Sequence, residues 1–198
     1  MDWASLLLGA LLGFALSLVL WWIQLRVVVP KLEFAKGISR LTHNGDVTYR
    51  FKILNGGRRG AVDLAFSVSL HLGSELITYN EVPAIKTFSM LKLHPVAESV
   101  LQLRPRVSRI VRLDMRPQLW QDVSPRLLAV AKIDPASQQP ILLETLLAAT
   151  PAAYLRVRVL ANDEVSGTRR YFASPRYYLG HIRTGAFRGL SVGPPGGW

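Results

Sequence analysis

Val62-Asp63-Leu64-Ala65-Phe66-Ser67-Val68-Ser69-Leu70-His71-Leu72 places a bulky apolar side chain at every second position, with small or polar residues between. Successive side chains of a strand point to opposite faces, so this period of two predicts a strand with one buried face and one wet face. Upstream, Val47, Tyr49, Phe51 and Ile53 alternate with Thr48, Arg50 and Lys52 in the same way. Between the two runs, Asn55-Gly56-Gly57-Arg58-Arg59-Gly60 supplies a connection rich in residues that tolerate positive φ. Further back, His43-Asn44-Gly45-Asp46 has turn composition, and Leu32, Phe34, Ile38 and Leu41 mark a first edge segment.

Downstream the pattern weakens and then returns. Val111, Leu113 and Met115 against Arg112, Asp114 and Arg116 predict another strand, and the apolar run 127–133 is a candidate central strand. Residues 141–149 are too apolar for periodicity to decide. Their Leu, Glu and Ala content favours a short helix, which Pro151 ends. Leu155, Val157 and Val159 interleave with Arg156 and Arg158, and 162–167 has the composition of a turn into 168–173, which together predict a hairpin. Many short strands, one short helix and frequent turn signals predict a mainly β domain, an immunoglobulin-like antiparallel β-sandwich, rather than a parallel α/β fold.

The N-terminus is of another kind. Residues 3–25 carry no charge and lead into Arg26. As a helix they would be about 34 Å long, enough to cross a hydrocarbon core of about 30 Å with some tilt. A signal peptide competes for this stretch, but no Lys or Arg precedes it, Asp2 is acidic, and no A-x-A site follows before Arg26. The reading is a single transmembrane helix in the cell membrane. Arg26, Lys31, Lys36 and Arg40 follow the span, which predicts the N-terminus outside and the C-terminal domain in the cytoplasm. Trp3, Trp21 and Trp22 suit the two interfaces. The expected organisation is an anchor at 1–25, a connector at 26–33, the β domain at 34–192 and a Gly/Pro tail at 193–198.

Two segments carry a family resemblance. Residues 154–170, Tyr-Leu-Arg-Val-Arg-Val-Leu-Ala-Asn-Asp-Glu-Val-Ser-Gly-Thr-Arg-Arg, followed by 177–187, Tyr-Tyr-Leu-Gly-His-Ile-Arg-Thr-Gly-Ala-Phe, resemble the last strands of the cytoplasmic domain of inward-rectifier potassium channels. Leu32-Glu33-Phe34, 45–51 and Asn55 are similar to the start of that domain, so the likeness spans residues 31–190. The resemblance implies an immunoglobulin-like domain hung beneath a membrane. It does not imply a channel, because the chain has one span and lacks the pore helix and Gly-Tyr-Gly filter that conduction needs.

Composition excludes more than it names. With no cysteine, thiolate metal sites and disulfides are ruled out. His43, His71, His94 and His181 are scattered without metal-ligand spacing, Asp163-Glu164 belong to a turn, and neither a nucleophile elbow nor a phosphate loop is present. No enzyme, cofactor or metal is expected.

Charge is the stronger signal. Lys and Arg number 24 against 13 Asp and Glu, a formal charge of +11 that falls wholly outside the span. Arg26, Lys31, Arg58, Arg59, Arg169, Arg170, Arg176, Arg183 and Arg188 are the candidate surface for anionic lipid or an acidic partner. Tyr171, Phe172, Tyr177, Tyr178 and Phe187 lie among the later arginines, a pattern also found in single-stranded nucleic-acid platforms, although nucleic acid is the disfavoured partner. A solvated basic surface over inward-facing aromatics explains the same residues. In the span, Ser5, Gly9, Gly13 and Ser17 form a stripe of small residues on which two helices could associate, as a homo-oligomer or with a partner membrane protein. The expected function is that of a membrane-anchored interaction or scaffold protein, the alternative an accessory or regulatory subunit of a membrane transport or defence system.

Overall fold

The computed structural model describes residues 2–26, 29–43, 45–73, 76–79, 82–85, 88–116, 128–129 and 141–194. Its first element is α1 (Trp3–Arg26), capped by Asp2, whose carboxylate accepts the Ala4 amide at 3.3 Å and whose carbonyl accepts the Leu6 amide. This one helix, over Trp3–Ile23, is apolar and long enough to cross a membrane. All its described side chains are exposed, so the rest of the chain does not cover them.

Beyond α1 the chain is mainly β. The strands are β1 (Leu32–Phe34), β2 (Ile38–His43), β3 (Asp46–Asn55), β4 (Ala61–Gly73), β5 (Leu76–Tyr79), β6 (Val82–Ile85), β7 (Phe88–Pro95), β8 (Ser99–Leu103), β9 (Ser108–Asp114), β10 (Tyr154–Asp163), β11 (Arg169–Ala173), β12 (Ile182–Thr184), β13 (Ala186–Arg188) and β14 (Ser191–Gly193). One short helix, α2 (Leu143–Ala148), lies between β9 and β10 and buries Leu143, Leu146 and Leu147.

Ten strands form one curled sheet in the order β11-β10-β4-β7-β9-β3-β2-β12, with β1 added beside β3 and β8 beside β4. The curl turns at β7 and β9, joined only by His94↔Asp114 and Pro95↔Leu113. It brings β3 and β4, which do not pair, face to face: the Phe51 and Phe66 rings meet edge-on with centroids 6.3 Å apart. Alternation explains the core directly. Tyr49, Phe51 and Ile53 of β3, Leu64, Val68, Leu70 and Leu72 of β4, and Leu155, Val157 and Val159 of β10 are all buried.

Two buried tyrosines lock the periphery. Tyr49 donates to the Glu144 carboxylate, which also meets Arg40 at 3.4 Å, and this pins α2 to β2 and β3. Burial first, and Glu144 second, push the Tyr49 hydroxyl well above the usual phenol range. Tyr177 donates to the Ala35 carbonyl at 2.7 Å, and burial raises its hydroxyl in the same direction.

Several sequence expectations need correction. β12 runs parallel to β2, so the sheet is not wholly antiparallel. β12 lies far from β2 in the chain, and only strands joined by a long connection are free to pair in parallel, which a tight hairpin forbids. Gly193, assigned to the tail, pairs with Ala186, and β1 begins at Leu32, inside the expected connector. The candidate strand 127–133 lies outside the described residues except for Leu128 and Ala129, which are helical, with Leu128 buried. Asn44, Val27, Val28 and residues 195–198 also lie outside them.

Candidate anionic-surface residues and the tethered end

Asn55 at the end of β3 organises the junction between the segment that follows α1 and the β domain. It is fully buried, and its side-chain oxygen accepts the Lys31 amide at 3.2 Å and the Gly57 amide at 3.0 Å. Its side-chain nitrogen donates to the Arg59 carbonyl at 2.8 Å and the Leu103 carbonyl at 3.0 Å. One side chain thus joins the connector, the 56–60 loop and β8. Gly57 completes the fit, since a Cβ there would collide with the Val29 carbonyl and the Lys31 amide. Val29 and Pro30 are buried, so the connector lies on the domain surface.

The 104–107 turn is joined to the same point. The Asn55 amide donates to the Val107 carbonyl at 3.0 Å, and the Arg106 amide donates to the Asn55 carbonyl at 2.7 Å. Pro105 and Arg106 are the central residues, and the Val107 amide returns to the Arg104 carbonyl at 3.2 Å. Arg106 holds φ at +60°, the position that glycine favours in a type II turn. Lys31, Arg58, Arg104 and Arg106 are all exposed here, beside the half-exposed Val107. Only Val27 and Val28 separate Val29 from Arg26, a reach of at most about 11 Å over three peptide steps. Among the described residues, the acids at this end include Glu33, beside Gly56, Glu164, which accepts from Gln102 at 2.8 Å, and the buried Asp163.

Other candidates divide. Arg59 is consumed internally: its guanidinium lies 3.8 Å from the Asp163 carboxylate, which is 1 % exposed. Burial would raise the Asp163 carboxyl, but the Ser166 and Val165 amides and then Arg59 outweigh it and hold it below the usual carboxylate range. Arg169, Arg183 and Arg188 are exposed, and Arg170 is half-buried on the inward side of β11. Arg176 stands 4.9 Å over the Tyr154 ring. Arg26 closes α1, but its side chain lies outside the described residues.

The aromatics do not form one platform. Tyr177 is buried, Phe172 packs against the core, and Tyr171 and Tyr178 are exposed. In α1, the Ser5 hydroxyl donates to the Asp2 carbonyl at 2.8 Å and the Ser17 hydroxyl to the Gly13 carbonyl at 2.9 Å. Their protons are spent within the helix, so any bond from these serines to a second helix would draw only on the oxygen lone pairs. A Cβ at Gly9 or Gly13 would meet nothing within 4 Å.

Sequence reasoning missed Asn55 as a junction residue and passed over Arg156 and Arg158 as strand alternation. Among the described residues no three of His, Asp and Glu gather as a metal site.

Comparison with known proteins adds little. No family model matches the chain, and no curated protein matches it. One solved structure, the sporulation control protein Spo0M from Bacillus subtilis, aligns over 78% of this chain and 49% of its own length, with 9% identity and a TM-score of 0.32. The chain therefore spans about half of that neighbour, and likeness at this level carries no argument about fold or function.

Proposed function

We propose that this chain is a single-pass, membrane-anchored, non-enzymatic interaction or scaffold protein, whose basic immunoglobulin-like domain works in the cytoplasm against the inner leaflet. The observation that carries this reading is the junction at Asn55. It joins Lys31, a few residues beyond the end of an apolar helix whose described side chains are all exposed, to the loops bearing Arg58, Arg104 and Arg106. Near an anionic leaflet each such cation contributes about 1 kcal/mol, and the attraction fades within a Debye length of about 8 Å at physiological salt.

The test uses the full chain in nanodiscs of neutral or anionic lipid, read by hydrogen exchange. Backbone amides of 56–59 and 104–107 should gain protection in anionic discs, lose it as salt rises, and lose it with Arg58→Gln plus Arg106→Gln. Equal protection in both lipids would overturn the reading. A reporter fused after Trp198 checks orientation, since activity of one that requires the periplasm would contradict a cytoplasmic domain. The open surface over Gly9 and Gly13 favours one further reading, an accessory subunit whose span packs on a partner membrane protein. Stoichiometric co-purification after detergent extraction would favour it.

A further inference from the structure

The outer face of β10, β4 and β7 lies apart from the tethered end and has its own charge pattern. Register places Arg158 beside Ser67, Arg156 beside Ser69 and Tyr154 beside His71. On the other flank of β4, Lys92 stands beside Ser69 and Met90 beside His71. Two serines thus form a floor, with two guanidiniums along one wall and an ammonium on the other.

Outward neighbours on one strand are about 7 Å apart, and adjacent strands about 4.8 Å. Arg156, Arg158 and Lys92 can therefore reach one point above Ser69. Arg156 and Arg158 have buried Nε atoms without a hydrogen-bond partner, and neither they nor Lys92 form an ion pair among the described residues. Arg176 extends the positive ground at the Tyr154 end. His71 stacks on Tyr154 at 4.6 Å and its Nε2 lies 3.2 Å from the Ser69 hydroxyl. Burial, then Arg158, Arg156 and Arg176, lower its affinity for a proton, which registers how positive the place is. Among the described residues, the acids bordering the face are Glu98, whose carboxylate lies 3.6 Å from the His94 ring, and Asp63, at the other end of β4, which accepts from the Asn162 side-chain amide at 3.3 Å.

We infer that this trough of Arg156, Arg158 and Lys92 over Ser67 and Ser69 binds a soluble phosphate-class oxyanion carrying at least two negative charges. Such an anion offers several oxygens at one centre, which suits two planar guanidinium forks, a point-charge ammonium and hydroxyl donors better than a flat carboxylate does. The ligand is soluble rather than lipid because of distance. Asp163, bonded to Arg59 at the tethered end, is seven residues along β10 from Arg156, which amounts to about 24 Å.

Pyrophosphate is the probe, titrated calorimetrically into the full chain in neutral detergent at physiological salt. Saturable binding of one equivalent is expected. Arg156→Gln with Arg158→Gln should weaken it at least tenfold and Lys92→Gln several-fold, while Arg58→Gln with Arg106→Gln leaves it unchanged. If the double variant loses its cooperative melt, Lys92→Glu reverses the charge of the other wall at an exposed position and should abolish binding. No saturable binding, or equal weakening in the tethered-end variant, overturns the inference. In a second arm, phosphatidate vesicles compete with pyrophosphate. Competition in the unaltered chain, together with vesicle binding that is itself lost with Arg156→Gln and Arg158→Gln, would make the source a lipid and overturn the commitment to a soluble ligand. Absence of competition supports it, and neither outcome depends on whether the 104–107 turn touches the leaflet.

Discussion

At the tethered end the cations ride on loops, Arg58 between β3 and β4 and Arg106 at a tight turn, whereas on the outer sheet face Arg156, Arg158 and Lys92 occupy strand positions set by the hydrogen-bond ladder. Loop-borne charges can adjust to a fluid layer of headgroups, and they need only be close to it. Strand-borne charges keep fixed spacings, which is what recognition of one small anion requires. The contrast between Arg58 and Arg59 sharpens the point, because adjacent residues of one type divide between solvent and an internal ion pair.

The strongest way to break the comparison is to remove what holds the loops at the anchor. Asn55→Ala deletes four hydrogen bonds, two of them buried, to the Gly57 amide and the Leu103 carbonyl, and two part-buried, to the Lys31 amide and the Arg59 carbonyl. At roughly 1 kcal/mol or more for each buried group left unsatisfied, a loss of about 4 kcal/mol is expected in urea unfolding of the full chain in detergent. A loss below about 1 kcal/mol would mean that the junction is incidental.

Acid should then expose the structural arginine. The Asp163 carboxyl titrates lower in the folded state than in the unfolded chain, where it is about 3.9. Its ionised form therefore stabilises the fold above that value, and the contribution fades as pH falls through the depressed folded value. Asp163→Asn should cost about 2 kcal/mol at neutral pH and flatten the acid limb below about pH 4. An unchanged acid limb, followed by thermal melting, would mean that Arg59 and Asp163 do not act as a structural pair.

Arg106 permits stability and binding to be separated. Arg106→Gly relieves a left-handed backbone, so a change between no effect and a gain of about 1 kcal/mol is expected, since the added freedom of glycine in the unfolded chain offsets part of the relief. The same change removes a cation, and protection of the 104–107 turn in anionic nanodiscs should fall by about 1 kcal/mol. If stability drops by more than about 1 kcal/mol, the arginine side chain itself supports the turn.

Legibility in the sequence tracks burial. β3, β4, β9 and β10 bury one face each, and their period of two is visible. So is α2, with Leu143, Leu146 and Leu147 on one side. β7 escapes notice although Leu91-Lys92-Leu93-His94 alternates, because the run is short and meets Pro95. β8 is an edge strand with a mostly exposed pattern, and β12, β13 and β14 have three residues each, too few to show a period. The site is less legible for a non-local reason. Nothing near Arg59 in the chain announces Asp163, and nothing around Arg156 says that Lys92 stands across β4 from it.

The smallest effect is expected in the span, where the comparison reaches its limit because no charge is involved. Gly9 and Gly13 leave a smooth strip on α1, and the exposed Leu6, Leu8, Leu11, Leu12 and Leu16 surround it. Close approach along such a strip gains packing that leucine would block, while the serines at its ends already bond within their own helix and add little. Gly9→Leu with Gly13→Leu should therefore weaken helix association by about 1 kcal/mol, the scale of contacts between membrane helices. The measurement is energy transfer between labelled full-length chains in neutral bilayers, where the basic loops have no anionic leaflet to join. Lost transfer with insertion intact would make the span an association surface in its own right. Unchanged transfer would leave α1 as a passive anchor and assign any self-association to the β domain.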